Sequence, residues 1–294
     1  MVLILYVIAV SVVSCFHEPW FDELQAWQIA KCASIKDILF SIPHYEGHPP
    51  LWHLILLPFA KLGAPVNFSL ALVNIIFITA ANALVIFKSP FPKIVRRLIP
   101  FSYYFFYQFG VISRPYSIVY LALMLAALTY NKRDEKPLAH ILSLVLLCLS
   151  HAYGIILAGM LCVVWVIQIF ISHIKSGRPS GIFKDKRCYK LLGLAVFALA
   201  LIAMIIPAEY VYYGSMTNDF IDRLKNIYYI LMFPSDAFIG VFFGNYSGAY
   251  SPGIVMLILD CFIGIAVMVF LIFYAKKCNE LATLLVPYIF LHSF

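Results

Sequence analysis

The chain has 294 residues, of which 63% are hydrophobic and only 12% charged, and its net charge is +7. An ordinary soluble domain is about 25% charged. A water-solvated globule, a disordered chain and a disulfide-rich miniprotein are therefore excluded, and lipid is the solvent for most of the chain. Seven cysteines are scattered without a Cys-x-x-Cys pair or a zinc spacing, and they read as small apolar residues.

Apolar runs of spanning character are 2–16, 66–87, 98–113, 115–130, 138–151, 153–173, 190–207, 253–275 and 281–294. A span needs about 20 such residues, fewer at the margin. Residues 1–16 lack the basic start and small-residue cleavage site of a signal peptide, so they are taken as the first span. The stretch 51–60 is too short to cross. It follows Pro49-Pro50, which suits the start of a half-embedded helix.

Lysine and arginine orient this pattern. With the N-terminus in the cytoplasm and 51–60 not spanning, the inner loops are 88–97, 131–137, 174–189 and 276–280. Together with Lys190 they hold 15 of the 21 basic residues. Making 51–60 a full span would put that charge outside, against the positive-inside rule. The expectation is an all-α polytopic membrane protein of about nine transmembrane helices, forming one domain over 1–294. The basic excess then marks orientation, not nucleic-acid binding. The run reaching Phe294 ends without flanking charge, which suggests that a C-terminal part is missing.

Nine of the 14 acids fall on the outer side, five of them in the loop 17–50. Acids contribute little to orientation, so this excess calls for another role. The loop opens with His17-Glu18-Pro19-Trp20-Phe21-Asp22-Glu23. From Leu24 to Phe40 the residues Leu24, Trp27, Ala30, Ile35, Ile38 and Leu39 are roughly amphipathic, which predicts interfacial helices. Asp22 and Glu23 fall at the first helix start, where acids also serve as plain caps. A second polar cluster follows in His44-Tyr45-Glu46-Gly47-His48. The other large outer loop, 208–252, is expected to hold a surface helix over 219–233.

Two outer hairpin tips add polar groups. Ser113-Arg114-Pro115-Tyr116 carries an arginine away from the cytoplasmic side; it either snorkels to headgroups or offers its forked donors to a phosphate. Ser150-His151-Ala152-Tyr153 forms the other tip. Asp260, inside a span, is a weaker candidate. Acids, histidines and an arginine thus gather at headgroup depth on one face. This suits a substrate whose phosphate lies at the interface and whose tail lies in the bilayer.

Four of these segments, in order across 17–160, resemble motifs of the GT-C membrane glycosyltransferases. They are Asp22-Glu23-x3-Trp27-x2-Ala30, Gly47-His48-Pro49-Pro50-Leu51-Trp52, Ser113-Arg114-Pro115-Tyr116 and Ser150-His151-Ala152-Tyr153. The nearest branch is the protein-mannosyltransferase and aminoarabinose-transferase type. The resemblance implies a sugar donor on a polyprenyl phosphate, transfer on the outer face, and a multi-pass protein of a bacterial inner or plasma membrane. By position it implies that Asp22 is the general base and that Glu23 assists it. It puts Glu46 and His48 in the donor or acceptor pocket, with His44 beside them. It has Arg114 hold the lipid phosphate, and Tyr116, His151 and Tyr153 support that site. The acceptor is not implied. A divalent metal is left open, since Asp, Glu and His can ligate one and branches of the family differ. Two other readings stand beside this one: a transporter or flippase of a lipid-linked sugar, which would place ionisable groups at the bilayer midplane, and an inactive membrane fragment.

Overall fold

The computed structural model describes residues 1–177, 179–207, 262–266, 269 and 273. The expected surface helix 219–233, Asp260 and the last span 281–294 lie outside these residues. So does the span 253–275, apart from seven helical positions. The chain divides into two units. One comprises Met1–Phe101 with Phe105–Val211, the other Ser102–Tyr104 with Tyr212–Phe294. The predicted site residues other than Asp260 belong to the first.

Every regular element among the described residues is helical. The elements are α1 (Val2–Cys15), α2 (Phe21–Cys32), α3 (Ile35–Phe40), α4 (Ile42–Glu46), α5 (Leu51–Lys61), α6 (Val66–Lys88), α7 (Lys93–Leu98), α8 (Tyr116–Tyr130), α9 (Pro137–Ser150), α10 (Ala152–Lys175) and α11 (Lys186–Ile205). Three of them, α6, α10 and α11, are long and apolar enough to cross a membrane. The 23 residues of α6 extend about 34 Å, against a hydrocarbon thickness of about 30 Å. Helices α1, α5, α8 and α9 are apolar but shorter.

The expected span 98–113 is irregular and not one continuous α-helix: it contains a 3-10 turn at Ile99–Phe101 and a π-helix at Tyr104–Gln108. Pro100 supplies no backbone donor, and the aromatic series from Phe101 to Phe109 has weak helix propensity. Gly110 then passes so close to Phe106 that an added Cβ would lie 2.2 Å from that residue's carbonyl oxygen. Hydropathy alone registers none of this.

The carbonyls freed by the broken helix need donors where water is scarce. Asn74, fully buried on α6, supplies them. Its Nδ2 lies 3.0, 2.9 and 3.3 Å from the carbonyls of Phe109, Gly110 and Ile112. That single amide shapes the turn leading into Ser113 and Arg114.

The first loop folds as short helices, as its pattern predicts. The buried stripe of α2 is Glu23, Ala26, Trp27 and Ala30, one face at three- and four-residue spacing. It packs on Trp52, Leu56 and Ala60 of α5. Lys61 closes the pair by donating to the carbonyls of Lys31 and Ala33 at the end of α2, at 2.9 and 3.0 Å. Ser34 caps α3, its Oγ accepting from the Asp37 amide at 3.1 Å. Gly47 ends α4 at φ 65°, in the left-handed region. A glycine there turns the chain between Glu46 and His48 without steric cost.

Helices α6, α8, α9 and α10 pack in sequence, with α11 against α9 and α10. Their core includes Leu144, Leu147, Trp165 and Leu194. At one end of this bundle Arg187 joins Asp185 at 2.6 Å and also reaches Asp134, which accepts from Trp165 Nε1 at 3.1 Å. The arginine holds the Asp185 carboxyl well below the usual carboxylate range.

Candidate functional site

Where α2 begins, two neighbouring carboxylates take opposite environments. Asp22 is 57% exposed and meets Arg114, with Oδ2 and Nη1 2.7 Å apart. Glu23 is 1% exposed and lies on the buried stripe. Its Oε2 accepts from the Trp20 amide at 2.8 Å and contacts His17 Nε2 at 2.8 Å. Its Oε1 accepts from the Ser113 amide at 2.7 Å. The bond to Trp20 is the reach-back half of a capping box, so the capping role expected at this helix start falls to Glu23. The bond to Ser113 ties the same carboxylate to the turn that carries Arg114. Glu23 is therefore a positioning residue, and Asp22 is the carboxylate left facing outward.

Arg114 reaches the rest of the cluster through aromatic rings. Its guanidinium carbon lies 5.9 Å from the centre of the Tyr116 ring. Tyr116 is 5.4 Å from His151, ring centre to ring centre. His151 in turn packs on His48 at 4.2 Å and on Tyr153 at 4.8 Å. Four segments remote in sequence thus converge: the helix start at Asp22, the turn at His48 and the two hairpin tips. His151 sits between α9 and α10 with extended backbone, and its Nδ1 accepts from the Tyr153 amide at 3.1 Å, capping α10. Tyr153 itself is exposed.

Glu46 joins from α4 through Gln25, whose Nε2 donates to Oε1 at 2.6 Å. Burial raises the Glu46 carboxyl above its usual range, opposed by the Gln25 hydrogen bond and by the Arg114 charge. His44 is held elsewhere on α4, its Nδ1 2.7 Å from the Ile206 carbonyl at the end of α11. Among the described residues, no three His, Cys, Asp or Glu side chains converge as metal ligands would.

Three participants were not picked out by the sequence reading. Asn74 and Gln25 shape the site through the bonds given above. The third is His53, 5% exposed on the first turn of α5, with neither ring nitrogen hydrogen-bonded within the described residues. A polar residue inside an apolar span was the available signal for Asn74. His53 lay in a stretch read only for its length.

Burial disfavours the charged forms of His48 and His151. His48 is shifted down by burial and then by the Arg114 charge. His151 is pushed down to about 3, by burial first and then by His48 and Arg114. In an unfolded chain a histidine titrates near 6.5, so between that pH and the folded value the unfolded state binds more protons. Their stabilising contribution is complete above about pH 6.5 and is lost as the pH falls. Glu46 works in the opposite sense. Thermal unfolding in detergent is expected to shift to lower temperature between pH 7 and pH 5. His151→Asn, which keeps a capping side chain, should flatten that slope; an unchanged slope would contradict the assignment.

Comparison with protein-family models, with curated proteins and with solved structures finds no match to this chain.

Proposed function

We propose that this chain is a multi-pass membrane glycosyltransferase of about nine spans, with a cytoplasmic N-terminus. It moves a sugar from a polyprenyl-phosphate donor to an acceptor on the outer or lumenal face. The observation that carries the reading is the Asp22–Arg114 pair: a carboxylate and a guanidinium 2.7 Å apart beside a histidine and tyrosine cluster.

In this mechanism the donor's phosphate engages the Arg114 fork, leaving Asp22 to face the acceptor. Asp22 takes the proton from the acceptor hydroxyl as its oxygen bonds to the sugar's anomeric carbon. The bond from that carbon to the phosphate oxygen breaks, and its electron pair stays on the phosphate. Arg114 stabilises the charge that develops there. A single displacement of this kind inverts the anomeric centre. Glu23 holds base and cation in register, and Asn74 fixes the turn that presents the cation.

The test uses the purified protein in liposomes with polyprenyl-phosphoryl sugars and a mixture of acceptors. Release of free polyprenyl phosphate is expected. Arg114→Lys, which loses the two-pronged geometry, should lower it on the order of 10²-fold, the usual effect of removing one such donor. Movement of intact donor across the membrane without cleavage would instead support a transporter. No release with any donor would end the proposal.

A further inference from the structure

We propose that α7 and the turn before it form a docking surface for anionic phospholipid headgroups, on the membrane face opposite the candidate site. This binding requires no sugar transfer.

Helix α6 ends at Lys88, about 20 Å along its axis from Asn74, which holds the turn leading to Arg114. Ser89 has extended backbone, and Pro90 and Pro92 keep the helix from continuing. The chain then enters α7, of which no residue is buried. At about 100° per residue, Lys93, Arg96 and Arg97 share one face of α7, and Ile94, Val95 and Leu98 share the opposite one. Ile94 is 72% exposed and Leu98 62%, and Phe87 and Phe91, just before α7, are exposed as well.

The basic groups here are uncommitted. Among the described residues, the side chains of Lys88, Lys93, Arg96 and Arg97 make no ion pair or hydrogen bond, and the stretch 88–97 contains no acid. Arg133 and Arg187 differ. Arg133 donates to the Tyr130 carbonyl and to Gln168, and Arg187 to Asp185 and Asp134. Those two arginines join elements of the bundle, whereas the four residues around α7 remain available.

The two faces together select the partner. Orientation in a membrane needs positive charge in this loop, but it does not require basic and apolar residues on opposite sides of a helix. A nucleic acid or an acidic protein would neutralise the charge and leave Ile94, Val95 and Leu98 in water. An anionic lipid surface meets both needs: the apolar face enters the headgroup boundary while the lysine and arginines reach phosphates. Four basic residues directly after a helix long enough to span are a density that favours anionic lipids.

The test uses the full chain purified in dodecyl maltoside, with trace fluorescent phosphatidylglycerol or phosphatidylcholine added. The lipid retained on the immobilised protein is measured at low and high salt. Wild type should retain phosphatidylglycerol about fivefold over phosphatidylcholine, the contribution of roughly one basic residue at a charged surface. That preference should fall towards one at about 1 M salt. Changing Lys88, Lys93, Arg96 and Arg97 together to Gln should abolish it. Changing Lys132, Lys136, Lys175 and Lys190 to Gln removes equal charge elsewhere and should leave most of it. Ile94→Gln combined with Leu98→Gln should lower retention of both lipids. Thermal unfolding reports whether each variant is folded, and the two-lipid comparison on wild type needs no variant. Equal retention of the two lipids by wild type overturns the proposal. So does a preference that survives in the α7 variant, or one lost equally in both four-residue variants. Binding of polyuridylic acid or polyglutamate that depends on the four α7 residues, while lipid retention does not, would overturn it in favour of those partners.

Discussion

Asp22→Asn is expected to reduce sugar transfer by about 10²–10⁴-fold, the range for loss of a well-placed general base, while leaving the protein folded. The second half of that expectation follows from exposure. The Asp22 side chain is 57% exposed and its partner Arg114 is 18% exposed. Ion pairs near water contribute about 0–1 kcal/mol, so the loss of this one should hardly move the unfolding temperature. The amide is nearly isosteric and keeps a hydrogen bond to the guanidinium, but it cannot take a proton from an acceptor hydroxyl. Turnover and thermal unfolding should be measured on the same preparation. Transfer at the wild-type rate would remove Asp22 as the base. A large loss of stability would show that the pair is structural.

Glu23→Ala should give the opposite pattern, with a fall in stability of about 3–5 kcal/mol, typical of breaking a buried charged network by deleting one partner. The Ser113 and Trp20 amides and the His17 ring nitrogen would all lose their acceptor. Transfer would fall because the turn bearing Arg114 loses its anchor. Glu23→Gln keeps one carbonyl acceptor and should lie between the two. Chemical unfolding in mild detergent separates the cases. A Glu23→Ala protein as stable as wild type would contradict the anchoring role.

The contrast between these neighbours was partly legible in the sequence. Ala26, Trp27 and Ala30 form an apolar stripe, and stepping back one turn along it lands on Glu23, not Asp22. The stripe read through Leu24 missed this, because Leu24 is 42% exposed. The longer helices were legible because an unbroken apolar run of about 20 residues has few alternatives in lipid. The run 98–113 was not, since hydropathy counts aromatic residues as apolar without registering that they help break the helix. Convergence of Asp22, His48, Arg114 and His151 was suggested by placing all of them at outer helix ends. The tertiary contacts that hold them, Asn74 to three carbonyls and Glu23 to Ser113, depend on packing between remote segments and have no local pattern.

The bond from Glu23 to Ser113 joins residues 90 positions apart, and that separation has a consequence for biosynthesis. A ribosome adds about 5–20 residues per second, so the acid waits roughly 5–20 s for its partner to be made. Until then the first loop holds a carboxylate that the finished protein buries. The loop should therefore set late, after the segment around residue 113 has entered the membrane. Chains arrested before that point should leave the loop open to added protease, whereas chains arrested well beyond it should resist cleavage. Equal cleavage of both would mean that the loop closes without its partner.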